Sequence, residues 1–224
     1  MTGSGSEGRT DRWSDIDLAF GVPDAEALAR IMADWTDRMY RHHGAVHHFD
    51  MPVGATVYRV FLLPGTLQVD LAFAPAAEFG PRARTFRLLS GTARTEMVGG
   101  TGPSAESLVG MGWLYALHAR TCIRRGQVWR AEYMVGRMRD VVLQLACLRC
   151  GLDIHHARDA DRLPENVRTP LAASLVRELT SGELSRAFAI VSEALQREAT
   201  VADPVLGARL ADTLSELVRT AAGD

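Results

Sequence analysis

The sequence has 224 residues, of which 47% are apolar, which is enough for one large domain or two small domains with buried cores. The formal net charge is −2. A nucleic-acid binder usually presents a basic face, so we expect a small molecule or a nucleotide as substrate and no nucleic-acid partner. All 25 basic residues are arginine, which excludes a lysine-containing phosphate loop and a lysine nucleophile. No apolar run approaches the roughly 20 residues of a membrane span, so we expect a cytoplasmic protein without a membrane partner.

The first strand signal carries two carboxylates. Side chains alternate along a strand, so Asp15 and Asp17 point to one face while Ile16 and Leu18 point to the other. Two ionised carboxylates side by side repel each other unless a cation joins them. Mg²⁺ prefers such oxygen ligands and is usually held by one or two carboxylates together with substrate phosphates. The pattern therefore predicts a site for magnesium and a nucleoside triphosphate.

A glycine- and serine-rich turn precedes this strand. Gly3, Gly5 and Gly8 let the backbone approach a ligand closely, and the Ser4 hydroxyl can donate to a phosphate. A disordered N-terminus has a similar composition. The phosphate interpretation is favoured because a later strand supplies a third carboxylate, Asp70.

These residues resemble the nucleotidyltransferase superfamily, which includes DNA polymerase beta and the antibiotic nucleotidyltransferases. The resemblance rests on Gly3-Ser4, the inner Gly8 and the run Ser14-Asp15-Ile16-Asp17-Leu18. It implies Mg²⁺-dependent transfer of a nucleoside monophosphate, most often AMP from ATP, to a hydroxyl of a small molecule such as an aminoglycoside-like antibiotic. The implied nucleotide-binding residues are Gly3, Ser4, Gly8 and Ser14, and the implied catalytic residues and metal ligands are Asp15, Asp17 and Asp70.

The chain departs from the superfamily pattern at two points. Ser6-Glu7 stands where many relatives have Ala-Arg, which makes the phosphate pocket less cationic, and Arg9 is the candidate to compensate. Relatives also place a helix and an apolar strand before the Gly-Ser turn, whereas only Met1-Thr2 precede Gly3 here. We expect that the true start lies upstream or that this form is poorly active, since an unpaired strand leaves a sheet edge open.

The residues after the motif follow helix and strand patterns up to about residue 73. The predicted elements are a helix at 24–41 and strands at 45–50, 56–63 and 67–73. Pro64-Gly65-Thr66 joins the last two strands as a hairpin. In the last strand Val69 and Leu71 face the core, so Asp70 points to the opposite face, where it can join the first two carboxylates.

The chain from Pro75 to Pro103 is rich in glycine and proline and is predicted to be an irregular linker or lid. Its Arg82 and Arg84 are either phosphate contacts or solvated loop residues. Helical patterns dominate from residue 104 onward, and no strand signal follows residue 100. The predicted helices are at 104–125, 127–149, 169–179, 181–198 and 204–220. We therefore predict an α+β protein, with a nucleotidyltransferase-type mixed sheet and flanking helix at 1–100 and a helical bundle at 101–224.

The second long helix carries the candidate acceptor-side residues. Glu132, Gly136 and Arg139 recur at i, i+4 and i+7 and so share one face. This face is either an acceptor-binding surface or an ordinary solvated helix face. An acceptor hydroxyl needs a carboxylate as general base, and Asp70 and Glu132 are the two candidates. We favour Asp70 as shared metal ligand and base, with Glu132 orienting the acceptor.

The cysteines and histidines are weaker candidates for a redox or metal site. Cys147-x-x-Cys150 lies inside an apolar helical run, so we expect buried thiols rather than a redox or metal site. The pairs His42-His43 and His47-His48 raise the possibility of a zinc site. Adjacent strand residues face opposite ways, so each pair offers only one ligand to a given site, and we expect structural roles for these histidines.

Two alternative functions stay open. One is a nucleotidyltransferase that modifies a protein partner, as antitoxin-type members of the superfamily do. The other is a nucleotide-binding remnant without catalysis. The acceptor, the nucleobase and the oligomeric state have no signature in the sequence.

Overall fold

A computed structural model describes residues 1, 8, 10–82, 85–98 and 102–222 of the chain. The predicted nucleotide contacts at Gly3 and Ser4, and the loop residue Arg84, lie outside the described residues. The chain divides into two compact units, 1–101 and 102–224.

The N-terminal unit contains a four-stranded mixed sheet. Its strands are β1 (Ile16–Val22), β2 (His47–Val53), β3 (Thr56–Leu62) and β4 (Gln68–Pro75). They lie in the order β1-β4-β3-β2. β1 is parallel to β4, whereas β4 with β3 and β3 with β2 are antiparallel. The hairpin between β3 and β4 is confirmed, and its turn contains Gly65 at φ +75°.

One helix, α1 (Ala25–His43), covers one face of this sheet. The Ala27 N–H donates to the Asp24 carboxylate at 2.7 Å, which caps the first turn. The helix ends at Gly44, whose left-handed backbone lets its N–H reach the Met39 carbonyl. The strand residues of the core beneath α1 alternate along β1, β3 and β4. Its fully buried members include Phe61, Leu71 and Phe73.

The segment after β4 contacts the opposite face at the end where β1 and β4 finish. Phe79 is buried and lies so close to β1 that a Cβ on Gly21 would be 2.9 Å from the Phe79 ring. Arg82 donates to the Thr56 hydroxyl at 2.7 Å. The described residues from 79 to 98 form no helix or strand, which confirms the irregular segment. Arg82 is held against the sheet rather than solvated.

The C-terminal unit is helical, and none of its described residues from 102 to 222 forms a strand. Its helices are α2 (Ala105–Arg124), α3 (Val128–Arg149), α4 (Glu165–Ala172), α5 (Ser181–Ala202) and α6 (Pro204–Ala222). A sheet unit followed by a helical unit confirms the predicted α+β class. Cys122 and Cys147 are buried as expected, whereas Cys150 is exposed and contradicts that expectation.

The helix predicted at 169–179 is wrong in its bounds, because α4 begins at Glu165 and ends at Ala172. Arg186 donates to the Ala173 carbonyl at 2.5 Å and to the Leu175 carbonyl at 2.9 Å. In a longer helix these two carbonyls would accept hydrogen bonds from backbone N–H groups of the next turn, and here Arg186 donates to them instead. A tertiary contact from α5 therefore replaces the final turns that the periodicity predicts.

Helices α2 and α5 approach each other closely at Gly112 in the core of this unit. A Cβ on Gly112 would lie 2.6 Å from Cδ1 of Leu195, and Leu195 is fully buried. The absence of a side chain at Gly112 is thus what permits this packing. Gly110, two residues earlier, has no heavy atom closer than 4.0 Å to the same position.

We expect Gly112→Ala to destabilise the protein and Gly110→Ala to stabilise it. The first change overpacks the core, at a cost of about 1–3 kcal/mol. The second only improves helix propensity, by roughly 0.5–1 kcal/mol. Urea unfolding of the intact chain measures both, and a Gly112→Ala variant as stable as Gly110→Ala would contradict the close packing.

Candidate active site

Asp17 and Asp70 lie directly opposite each other on the adjacent parallel strands β1 and β4. Their neighbours in the register, Leu18 opposite Leu71, belong to the core beneath α1. Because side chains alternate along a strand, both carboxylates lie on the sheet face that α1 does not cover. The sheet topology thus brings together two aspartates that are 53 positions apart in the sequence.

Asp15 and Gln68 complete the surroundings of Asp70. Asp15 immediately precedes β1 and is exposed. The Gln68 side-chain amide donates to both Asp70 carboxylate oxygens, at 3.0 and 3.1 Å. Burial raises the pKa of Asp70, the Gln68 hydrogen bonds oppose this, and the negative charge of Asp15 raises it further. The net direction is upward, so Asp70 is a stronger base than an ordinary aspartate.

Asp17 and Asp70 share a sheet face and Asp15 immediately precedes β1, but the three carboxylates form no closed cluster. In the part of the chain that the structure describes, no three His, Cys, Asp or Glu side chains converge on a point that could hold a metal ion. Mg²⁺ requires only one or two protein carboxylates, because water and phosphate oxygens supply its other ligands. The Asp17–Asp70 pair therefore fits Mg²⁺ by its oxygen chemistry, while a closed all-protein cage is not built here.

The residues just before β1 form a hydrogen-bonded turn. The Asp11 carboxylate accepts from the Trp13 N–H at 2.8 Å and from the Ser14 hydroxyl at 3.1 Å. The Ser14 oxygen in turn accepts from the Asp11 N–H at 2.9 Å. Gly8 has φ +69°, a left-handed conformation that favours glycine. Ser14 thus shapes the entry to the carboxylate strand, and nucleotide binding by Ser14 and Gly8 stays a prediction.

The acceptor-side candidates of α3 share one face as the spacing predicts. Around Gly136, the Glu132 Oε1 and Arg139 Nη1 atoms lie 3.9 and 4.0 Å from where a Cβ would stand. Arg139 also donates to the Ser174 hydroxyl at 2.9 Å and to its carbonyl at 2.7 Å. Burial lowers the pKa of Arg139, and the charge of Glu132 opposes that shift. Arg139 therefore anchors the chain after α4, and its contact with an acceptor stays a prediction.

Histidine pairs form no metal site among the described residues. The Tyr40 hydroxyl and His48 Nδ1 are 2.9 Å apart, and the His48 ring packs on Phe61. Burial, followed by the charge of Arg59, lowers the pKa of His48, which favours its neutral form. His48 thus has the structural role expected for it.

Comparison with known proteins finds similarity at the level of structure and not of sequence. No family model matches the sequence, and no curated protein matches it. The structure is similar to the crystal structure of an aminoglycoside 6-adenyltransferase from Bacillus subtilis. The similarity has a TM-score of 0.39 and 10% sequence identity, and it covers 91% of this chain and 88% of that chain.

None of the helices among the described residues has the length and apolarity needed to cross a bilayer.

Two residues of the site were missed by the sequence interpretation. Gln68 lies two positions before Asp70 and therefore on the same strand face, a signal that strand alternation contains. Asp11 stands three residues before Ser14, a spacing at which a carboxylate closes a local turn. Both residues position candidate catalytic groups rather than replacing them.

We expect Asp70→Asn to keep or raise the melting temperature of the intact chain at pH 7. A raised folded-state pKa means that ionised Asp70 costs stability as pH rises through that pKa, and asparagine removes this cost. The matched control is Asp50→Asn in β2. Arg59 donates to both Asp50 oxygens, at 2.6 and 2.7 Å, and these bonds lower the pKa of Asp50.

The two variants should respond to pH in opposite ways. The stability that ionised Asp50 provides is present above its unfolded-state pKa and is lost as pH falls through its lowered folded-state pKa. We therefore expect Asp50→Asn to lower the melting temperature at pH 7 by about 2 °C. In acid both variants should approach the wild type. Calorimetry between pH 3 and 7 measures this, and a large loss of stability in Asp70→Asn at pH 7 would assign Asp70 a structural role.

Proposed function

We propose that this protein is a Mg²⁺-dependent nucleotidyltransferase that moves a nucleoside monophosphate from a nucleoside triphosphate to a hydroxyl group of a small molecule. The observation that supports this most directly is the pairing of Asp17 with Asp70 across two parallel strands. Asp15 lies two residues before Asp17, and its charge acts on Asp70. Two carboxylates on one sheet face, with a third just before the strand, are suited to phosphate chemistry, which depends on positioning and on charge neutralisation.

Asp15, Asp17 and Asp70 are the residues that would hold the metal ion. Bound Mg²⁺ supplies charge neutralisation at the phosphate oxygens during an in-line displacement. The protein contributes a preformed pair of carboxylates on rigid strands, and Gln68 fixes the plane of the Asp70 carboxylate. The donor nucleotide in this proposal is ATP, as the sequence resemblance implies.

Asp70 is the proposed general base. In the transfer step the acceptor hydroxyl oxygen bonds to the α-phosphorus, the bond to pyrophosphate breaks, and the hydroxyl proton passes to the Asp70 carboxylate. Glu132, half-buried on α3, is proposed to orient the acceptor.

A small hydroxyl-bearing acceptor, such as an aminoglycoside-like antibiotic, suits the composition of the chain. The net charge of −2 favours a neutral or cationic partner over nucleic acid. The deciding experiment measures pyrophosphate release with the four nucleoside triphosphates across a panel of aminoglycosides and lincosamides. Binding of ATP without pyrophosphate release from any acceptor would support the alternative of a nucleotide-binding remnant.

We expect Asp17→Asn to abolish Mg²⁺-dependent pyrophosphate release, with a loss of at least about 100-fold. The variant should keep its fold, because asparagine has nearly the same volume and shape as aspartate. The control is Asp37→Asn on α1, which makes the same change at an exposed carboxylate that pairs with Arg41 at 2.7 Å. Activity close to wild type in Asp17→Asn, with Asp37→Asn also active, would exclude the metal assignment.

The general-base assignment predicts different kinetics for the two candidate residues. Asp70→Asn should lower kcat by about 100-fold or more, because the proton acceptor is lost. Glu132→Gln should mainly raise the KM for the acceptor and leave ATP binding unchanged. Initial rates at saturating ATP with varied acceptor separate these effects. The roles are reversed if Glu132→Gln stops turnover at saturating acceptor while Asp70→Asn retains it.

A further inference from the structure

The sheet face that carries Asp17 and Asp70 continues into an apolar surface on β3 and β2. The register places Val60 directly opposite Asp70, and Phe49 directly opposite Val60. Residues directly opposite each other on paired strands share a face. Asp17, Asp70, Val60 and Phe49 therefore form one row across the four strands. Halfway across the sheet, the row changes from carboxylates to apolar side chains.

The neighbouring positions extend this apolar surface along β2 and β3. Met51 lies opposite Tyr58, and both Tyr58 and Leu62 are two residues from Val60 and so on its face. We call the side chains of Phe49, Met51, Tyr58, Val60 and Leu62 the β2/β3 patch. All five residues are described by the structure, and none of them belongs to the core beneath α1.

The β2/β3 patch is accessible to solvent. Phe49, Met51 and Leu62 are 54%, 46% and 47% exposed, and Tyr58 and Val60 are partly buried. Apolar side chains on an edge strand such as β2 favour aggregation, and natural sheets usually place charged residues there instead. Apolar side chains that are exposed as a cluster are typical of binding surfaces.

The proposed transfer reaction indicates which part of a substrate lies over the β2/β3 patch. Asp17 is on β1 and Asp15 immediately precedes it, so the metal ion and the donor phosphates belong on the β1 side of Asp70. The patch is on the other side, because β4 lies between β1 and β3. An in-line displacement places the attacking hydroxyl and the leaving pyrophosphate on opposite sides of the phosphorus. The acceptor therefore extends from Asp70 across β3 and β2.

The chemistry of the patch selects an uncharged group. Neighbouring strands are about 5 Å apart, so Val60 is about 5 Å and Phe49 about 10 Å across the sheet from Asp70. The patch contains no carboxylate, since Asp50 of β2 faces α1 and is bound there by Arg59. A cationic group over the patch would lose water without gaining an ion pair, whereas an apolar ring would be buried favourably.

We propose that the β2/β3 patch binds an uncharged apolar ring of the acceptor, attached close to the hydroxyl that receives the nucleoside monophosphate. The ring packs on Val60 and Phe49 while the hydroxyl lies at Asp70. This assignment rests on the proposed function, because the transfer reaction is what places the hydroxyl there. It adds a substrate class, namely compounds in which an apolar ring adjoins the reacting hydroxyl.

The test compares two neutral probes that have the same sugar hydroxyls. Phenyl β-D-glucopyranoside carries an aromatic ring, whereas methyl β-D-glucopyranoside carries only a methyl group. Each is titrated into the intact chain saturated with Mg²⁺ and α,β-methylene-ATP, an analogue that cannot release pyrophosphate. Amide NMR shifts give the affinities and locate the probes. We expect the phenyl compound to bind about ten-fold more tightly, since it buries an additional ring, and the largest shifts to fall on β2 and β3.

Three variants identify the surface responsible. Val60→Thr keeps a β-branched side chain and adds a hydroxyl to the patch, and should reduce the preference for the phenyl probe to about three-fold or less. Phe49→Thr should have the same effect and should keep the fold, because Phe49 is 54% exposed. The matched control is Val46→Thr, the same change at a 64% exposed valine that precedes β2. This control should leave both affinities unchanged.

The results separate the acceptor assignment from the proposed function. Failure of the wild type to bind α,β-methylene-ATP would contradict the proposed function and the assignment with it. If the analogue binds, equal affinity for the two probes, no binding of either, or shifts away from β2 and β3 would overturn the assignment alone. A weaker affinity for the analogue in Phe49→Thr and Val60→Thr would assign the patch to the nucleobase instead. Dissociation of a dimer by Phe49→Thr in sedimentation would assign it to a second copy of the chain.

Discussion

The parallel pairing of β1 with β4 is the constraint on which the candidate active site depends. It sets Asp17 against Asp70, and it does so because their neighbours Leu18 and Leu71 must be buried together beneath α1. A shift of one residue in either strand would turn a carboxylate into the core and expose a leucine. The hydrophobic core thus fixes the register, and the register fixes the distance between the two charges.

The burial of Asp70 near the charge of Asp15 has an electrostatic cost that Gln68 reduces only in part. Gln68 donates to both oxygens of Asp70, yet burial and the charge of Asp15 still raise the pKa of that carboxyl. Asp50, by contrast, has a bidentate Arg59 partner in the same sheet, and its pKa is lowered. Selection for stability alone would favour a paired carboxylate such as Asp50. A partly buried carboxyl with a raised pKa, such as Asp70, is typical of sites that bind a cation or a proton.

The helical unit uses arginine for structural connections between helices. Arg149 donates to the buried Glu198 at 2.9 and 3.1 Å and so links α3 to α5. Arg139 holds Ser174, and Arg186 holds the carbonyls after α4. The planar guanidinium presents several donors in fixed directions, so one side chain can satisfy several acceptors. All basic residues of this chain are arginine, so an arginine on a candidate binding face can have a structural role instead.

The sequence by itself determined the division into a sheet with one helix and a later helical region, since strand alternation, helical periodicity and capping residues are local signals. It also determined which face of each strand Asp17 and Asp70 occupy, because alternation requires no partner strand. Only the tertiary structure decided that the two lie opposite each other and that Arg139 donates to Ser174. It also ended α4 at Ala172 and left the Ser192 hydroxyl without a partner in the described chain. These outcomes depend on contacts between segments distant in sequence, whose free energies of packing and hydrogen bonding override local preference.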